Sequence, residues 1–264
     1  MKDINILKDI ELFLLDMDGT IYLGEQIFDG SLDFINKIIK TNRKYVFMTN
    51  NSSKNKLNYV EKLNRLGIPA NEENVFTSGM ATGYYLNEYY PGKRVYLAGT
   101  KSLEDELRYH YHINLVEDNP EVVVMGFDRE LNYKKLENVC EALDNGAIFI
   151  ATNPDLVCPI ENKRYIPDCG SMCIMIENAT KRKPKYIGKP DPMMIQLLSK
   201  KFNIPVEKIA VIGDRVYTDI ASGFNAKANT ICVLSGESTM ETINNSEIKP
   251  DFIFNSVKDL IDLI

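Results

Sequence analysis

With 264 residues, of which 44% are hydrophobic and 26% charged, the chain is long enough for one large domain or two ordinary ones, and its composition excludes a disordered protein. A net charge of -6 disfavours a nucleic-acid partner, because affinity for a phosphate backbone rests on clustered Lys and Arg. No apolar run reaches membrane-span length, and the opening MKDINILKDIEL carries Asp and Glu through what would be a signal peptide's apolar region. A cytoplasmic protein with no membrane partner is therefore expected.

Short apolar runs alternate with helix-length amphipathic segments, the pattern of parallel strands joined by crossover helices, so the fold class is α/β. In chain order, strands are predicted at 12–15, 45–48, 95–98, 122–125, 147–151, 209–212 and 230–233. Helices are predicted at 31–41, 54–66, 81–89, 102–109, 133–145, 192–202, 217–224 and 257–263. Gly67, Pro91-Gly92, Gly146 and Pro192 punctuate these segments as helix ends and starts do. Tyr84, Tyr85, Tyr89 and Tyr90 read as packing along a helix flank or as a subunit contact, which leaves a homodimer open. Five cysteines, none in a Cys-x-x-Cys pair, and two histidines argue against a disulfide framework and a zinc site. The spacing of His110 and His112 suits one face of a strand.

Chemistry-bearing residues follow three of the predicted strands. Asp16 and Asp18 follow the first, Thr49-Asn50-Asn51-Ser52-Ser53 the second, and Gly213-Asp214-Arg215-Val216-Tyr217-Thr218-Asp219 the strand at 209–212. In a parallel sheet these are the carboxyl ends, where ligands bind. Asp-x-Asp-Gly also describes an ordinary polar turn, and a calcium loop would need ligands this stretch lacks. Two enclosed carboxylates one residue apart repel each other unless a cation sits between them. Asp16, Asp18 and Asp214 offer the hard oxygens that suit Mg2+, which leaves coordination positions for substrate phosphate. Thr49 and the Asn50 amide can donate to phosphate oxygens, and Lys189 can add positive charge. The chain has no GxxxxGK[ST] loop.

DMDGT, MTNNSS, the GKP around Lys189 and GDRVYTD resemble the four ordered motifs of the haloacid dehalogenase (HAD) superfamily of phosphatases. ATNPDLVCP and the late VLSGES further resemble its NagD-like, or 4-nitrophenylphosphatase-like, branch. The resemblance implies a Rossmann-like core, with Asp16 as nucleophile and Asp18 as acid and then base. It also implies that Thr49 and Asn50 bind phosphate, that Lys189 offsets charge there, and that Mg2+ is held by Asp16, the Asp18 carbonyl and Asp214. Asp219 would hold a metal-bound water or Lys189.

Residues 50–188 exceed what one core strand-helix repeat needs, and the resemblance implies an inserted type C2 cap in its α/β form. Expected boundaries are core 1–80, cap 81–181 and core 182–264. Cap residues Asp155, Cys158 and Tyr165 would contribute to specificity, with Cys158 standing where some relatives carry a histidine. The expected partner is a small phosphorylated metabolite: a sugar phosphate, glycerol phosphate, phosphoglycolate, a nucleoside monophosphate or pyridoxal phosphate. Alternatives are a phosphometabolite-binding protein, a metal-dependent glycosyltransferase using Asp16-x-Asp18, and a dehalogenase, which would have no use for a metal site.

Overall fold

A computed structural model describes residues 2–160 and 164–264. The chain divides into two compact units, one formed by residues 1–49, 57–76 and 189–264, the other by residues 50–56 and 77–188.

The first unit is built on a six-stranded sheet in the spatial order Phe252–Phe254, Asn229–Val233, Ile209–Gly213, Leu12–Leu15, Lys44–Thr49, Val75–Thr77. Leu12–Leu15 lies between two parallel neighbours, with Leu15 opposite Ile212 on one side and Phe47 on the other. All four of its residues are buried, which explains why it reads as an unbroken apolar run rather than an alternating one. The Ser31–Lys40 helix covers one face with a stripe of Phe34, Ile35 and Ile38. The Phe34 ring meets Phe13 edge to face, with centroids 5.9 Å apart. Each such fully buried side chain contributes about 1.5–3 kcal/mol. Parallel pairing puts the ends of Leu12–Leu15, Lys44–Thr49 and Ile209–Gly213 on one edge.

The inserted second unit carries its own parallel sheet, in the order Lys185–Tyr186, Ile148–Ala151, Val122–Met125, Arg94–Ala98, Asn114–Leu115. Val122–Met125 is wholly buried. The Tyr133–Asp144 helix begins where the Asn132 side chain accepts from the Lys135 N–H, and it packs Val139, Ala142 and Leu143 into this unit's core. Val157–Ile160 and Arg164–Pro167 form a separate antiparallel pair.

Several elements differ from the expectation. The helix expected at 217–224 opens with a π-helical turn, Val216–Ile220, before the α-helix Ala221–Ala226. The one expected at 102–109 is α over Lys101–Asp105 and π over Glu106–His110. Only a 3-10 turn, Val257–Leu260, forms near the C-terminus. His110 closes the π turn and His112 has φ +54°, so the two do not share a strand face. The tyrosines pack locally: Tyr85 meets Tyr89 at 4.6 Å and Tyr84 meets Tyr111 at 5.1 Å.

Candidate active site

The Leu12–Leu15 strand hands the chain to a tight loop. The Asp16 N–H still donates to the Ile212 carbonyl as a strand residue would, and the Met17 carbonyl then accepts from the N–H groups of Thr20, Ile21 and Tyr22. Gly19 has φ +92°, and a Cβ there would overlap the Asp214 carboxylate. Glycine is required because the loop's main chain lies directly against that side chain. An antiparallel pair, Tyr22–Leu23 with Gln26–Ile27, follows.

Asp16, Asp214 and Asp219 converge, each offering a carboxylate oxygen within 4.8 Å of the other two. Lys189 lies among them: its Nζ donates to Asp16 Oδ1 at 2.7 Å, to Asp219 Oδ1 at 2.5 Å and to the Met48 carbonyl at 3.2 Å. The Lys189 side chain is 4% exposed and that of Asp219 2%, against 17% for Asp16. Asp219 sits on the π turn, where Oδ2 also accepts from the Arg215 N–H. Asp214 Oδ2 accepts from the Glu237 N–H at 2.8 Å.

Burial dominates the electrostatics. It pushes the Asp16 carboxyl up to about 8, with Asp219 and Asp214 adding to the rise and Lys189 opposing it. Burial, and then Asp219, raises Asp214 to about 6. Lys189 is held protonated by Asp16 and Asp219 despite its own burial. Three carboxylates thus face the Lys189 ammonium and, beyond it, the Arg215 guanidinium, whose charge Glu237 shares. Such a cluster has hard oxygen donors and an excess of negative charge, which is what a divalent cation neutralises. Asp16, Asp214 and Asp219 therefore fit a metal of that kind.

Of the residues singled out in the sequence, Asp16, Lys189, Asp214 and Asp219 come together. The Asp18 side chain lies outside the carboxylate cluster, on the exposed part of the loop, where its Oδ1 accepts from the Gly24 N–H at 3.4 Å. Thr49 ends its strand buried. Asn50 begins the inserted unit, and its side-chain amide donates to Asp155 Oδ2 at 2.9 Å. Asn153 donates to the same oxygen at 3.1 Å and to Asp168 Oδ1 at 2.9 Å. Cys158 stands opposite Ile166 in the antiparallel pair, with Tyr165 exposed on the neighbouring strand. The contact between Asn153 and Asp168 was not legible in the sequence, because nothing local joins positions 15 apart.

Two family models match the chain: haloacid dehalogenase-like hydrolase over residues 13–111 and HAD-hydrolase-like over residues 186–260. The acid sugar phosphatase of Staphylococcus aureus is 33% identical over 255 residues, covering 97% of this chain and 98% of that protein. Among solved structures, a 4-nitrophenylphosphatase from Thermotoga maritima superposes with a TM-score of 0.93 at 41% identity, covering 97% of this chain and 98% of its own. NagD from E. coli superposes with a TM-score of 0.89 at 32% identity, covering 97% and 99%. The chain belongs to the HAD-like hydrolases and is a phosphatase of that class. Within the class it falls in the NagD and 4-nitrophenylphosphatase branch, whose second parallel sheet forms an inserted cap. Among the described residues, no helix is long and apolar enough to cross a membrane.

Proposed function

We propose that the protein is a magnesium-dependent phosphomonoesterase that hydrolyses small phosphorylated metabolites, sugar phosphates among them, through a phosphoryl group carried on Asp16. The observation that carries this reading is the buried Lys189 ammonium bridging Asp16 and Asp219 beside Asp214. An Asp oxygen is a weak nucleophile while protonated, and burial favours that form here. Lys189 opposes it, and bound Mg2+ would supply the remaining positive charge and draw off charge from the phosphoryl oxygens.

In the first step an Asp16 oxygen forms a bond to phosphorus while the bond to the alcohol oxygen breaks, and Asp18 gives that oxygen its proton. In the second, Asp18 takes a proton from water, the water oxygen bonds to phosphorus, and Asp16 leaves as carboxylate. Exposure of Asp18 suits a group that exchanges protons with water. Thr49 and Asn50 would bind phosphoryl oxygens, and with the Asn50 side chain engaged by Asp155 the main chain at that position is the natural donor. Asp16, Asp214 and the Asp18 carbonyl would hold the metal, with Asp219 orienting Lys189. The core would be the unit formed by residues 1–49, 57–76 and 189–264, and the cap the unit formed by residues 50–56 and 77–188, rather than the expected 81–181. Asp155, Cys158 and Tyr165 would act on substrate choice. A sugar phosphate is favoured among the candidate metabolites because the Staphylococcus aureus relative bears that name.

Acid quenching during turnover, followed by borohydride reduction, converts an acyl phosphate to a homoserine. The reading expects homoserine at position 16 by mass spectrometry. Its absence from protein that is turning over substrate would sink the Asp16 role.

A further inference from the structure

The segment Ser235-Gly236-Glu237-Ser238 follows the Asn229–Val233 strand and wraps the side chain of Asp214. Its ties are numerous for four residues. The Glu237 N–H donates to Asp214 Oδ2 at 2.8 Å, and the Ser238 N–H donates to the Asp214 carbonyl at 3.0 Å. Ser238 Oγ accepts from the Val216 N–H at 3.3 Å. Ser235 Oγ donates to the Gly19 carbonyl at 2.8 Å and so joins the segment to the loop that carries Asp16 and Asp18. On the outer side, Glu237 accepts from the Tyr217 hydroxyl at 2.7 Å and lies 3.0 Å from Arg215 Nε at ion-pair distance, off the hydrogen-bond angle.

Steric contact closes the grip. A Cβ added to Gly236 would overlap Asp214 Oδ2 and Cγ, and a Cβ on Gly19 would strike the same carboxylate. Asp214 therefore lies against two glycine main chains, with Oδ2 tied to the Glu237 N–H and Oδ1 3.5 Å from the Thr20 hydroxyl. A carboxylate with so little freedom presents its oxygens in one orientation, and loss of such surrounding contacts weakens metal binding.

We propose that Ser235 and Gly236 are positioning residues: they form a clasp that fixes Asp214 and the Asp16 loop in register and thereby sets the affinity of the carboxylate cluster for a divalent cation. This rests on the magnesium reading above. The clasp acts before any substrate is present, so it is read by metal binding rather than by turnover alone.

The test uses the full chain and Mn2+, whose free form gives a sharp electron paramagnetic resonance spectrum that disappears on binding. Ser235→Ala is expected to weaken Mn2+ binding about fivefold, the worth of one ordinary hydrogen bond, and to lower kcat at saturating metal by a smaller factor than it lowers metal affinity. Ser235→Thr keeps the hydroxyl and is expected to restore most of the affinity. Gly236→Ala, which forces Asp214 or the segment to move, is expected to lose tenfold or more. Should Gly236→Ala fail to fold, the two Ser235 variants still decide. Unchanged Mn2+ affinity in folded Ser235→Ala overturns the clasp, as does a fall in kcat at saturating metal without a fall in affinity. Wild type that binds no Mn2+ overturns both the clasp and the metal reading beneath it.

Discussion

Glu106 carries a pH-dependent cost that one substitution can expose. Its side chain is buried in the inserted unit, on the π turn that follows Lys101–Asp105, and among the described residues neither carboxylate oxygen meets hydrogen-bond geometry with a partner. Burial pushes its carboxyl from 4.5 up to about 7, and the nearby Lys56 main chain and Thr77 hydroxyl offset that only in part. The folded chain therefore holds this proton more tightly than the unfolded chain. The stability gained is fully present below the unfolded value of 4.5 and is lost as pH rises through about 7. At about 1.4 kcal/mol per tenfold, wild type should lose about 2.5 kcal/mol relative to Glu106→Gln between about pH 5 and about pH 8.5. Urea unfolding of both proteins by far-UV circular dichroism at several pH values reads the difference. Glutamine has nearly the same shape but no proton to lose, so its own desolvation shifts the variant equally at every pH and leaves the slope untouched. A difference that stays flat across pH would refute the reasoning, because it would mean the native structure accommodates ionised Glu106 at no cost.

Other expectations concern the site. Asp18→Asn should lower kcat by roughly 10² to 10⁴, the range for losing an acid-base group; a folded variant with wild-type turnover would remove Asp18 from that role. Lys189→Met leaves Asp16 and Asp219 buried without their shared cation, and losing one partner of such a pair costs about 3–5 kcal/mol. Its thermal midpoint should fall and its activity should drop steeply, and a variant as stable as wild type would contradict the buried bridge. Exchanging Asp155, Cys158 or Tyr165 should change the ranking of phosphorylated metabolites by kcat/KM more than it changes turnover of p-nitrophenyl phosphate. An unchanged ranking would argue against those three as selectivity residues.

The strands that carry chemistry were legible because they are buried on both faces and end in polar motifs. Leu12–Leu15 and Ile209–Gly213 show no alternation, only a run of large apolar residues cut off by Asp16 and by Asp214. Short pieces were not legible. Val75–Thr77, Asn114–Leu115 and Lys185–Tyr186 have two or three residues each, too few to establish a period, and are defined by the sheets they join. The Val157–Ile160 and Arg164–Pro167 pair contains Pro159 and Pro167, which count against a strand unless it lies at an edge. Both π turns were hidden because an extra residue in a helical turn does not alter composition.

At the site, order along the chain identified Asp16, Lys189, Asp214 and Asp219, while their hydrogen bonds came only from the folded geometry. Gly236 is the clearest case. In the sequence it is one glycine among 15, and what distinguishes it is Asp214, which lies where its side chain would be. Glu106 is similar, since ELRYH reads as a charged helix surface and burial alone makes it unusual.

The most direct test of the central claim is hydrolysis of p-nitrophenyl phosphate by wild type and by a folded Asp16→Asn variant, each with and without Mg2+. Release of p-nitrophenolate that requires the metal and is abolished in the variant is the predicted result. Release that is independent of Mg2+, or equal in the two proteins, would contradict a metal-assisted attack by Asp16.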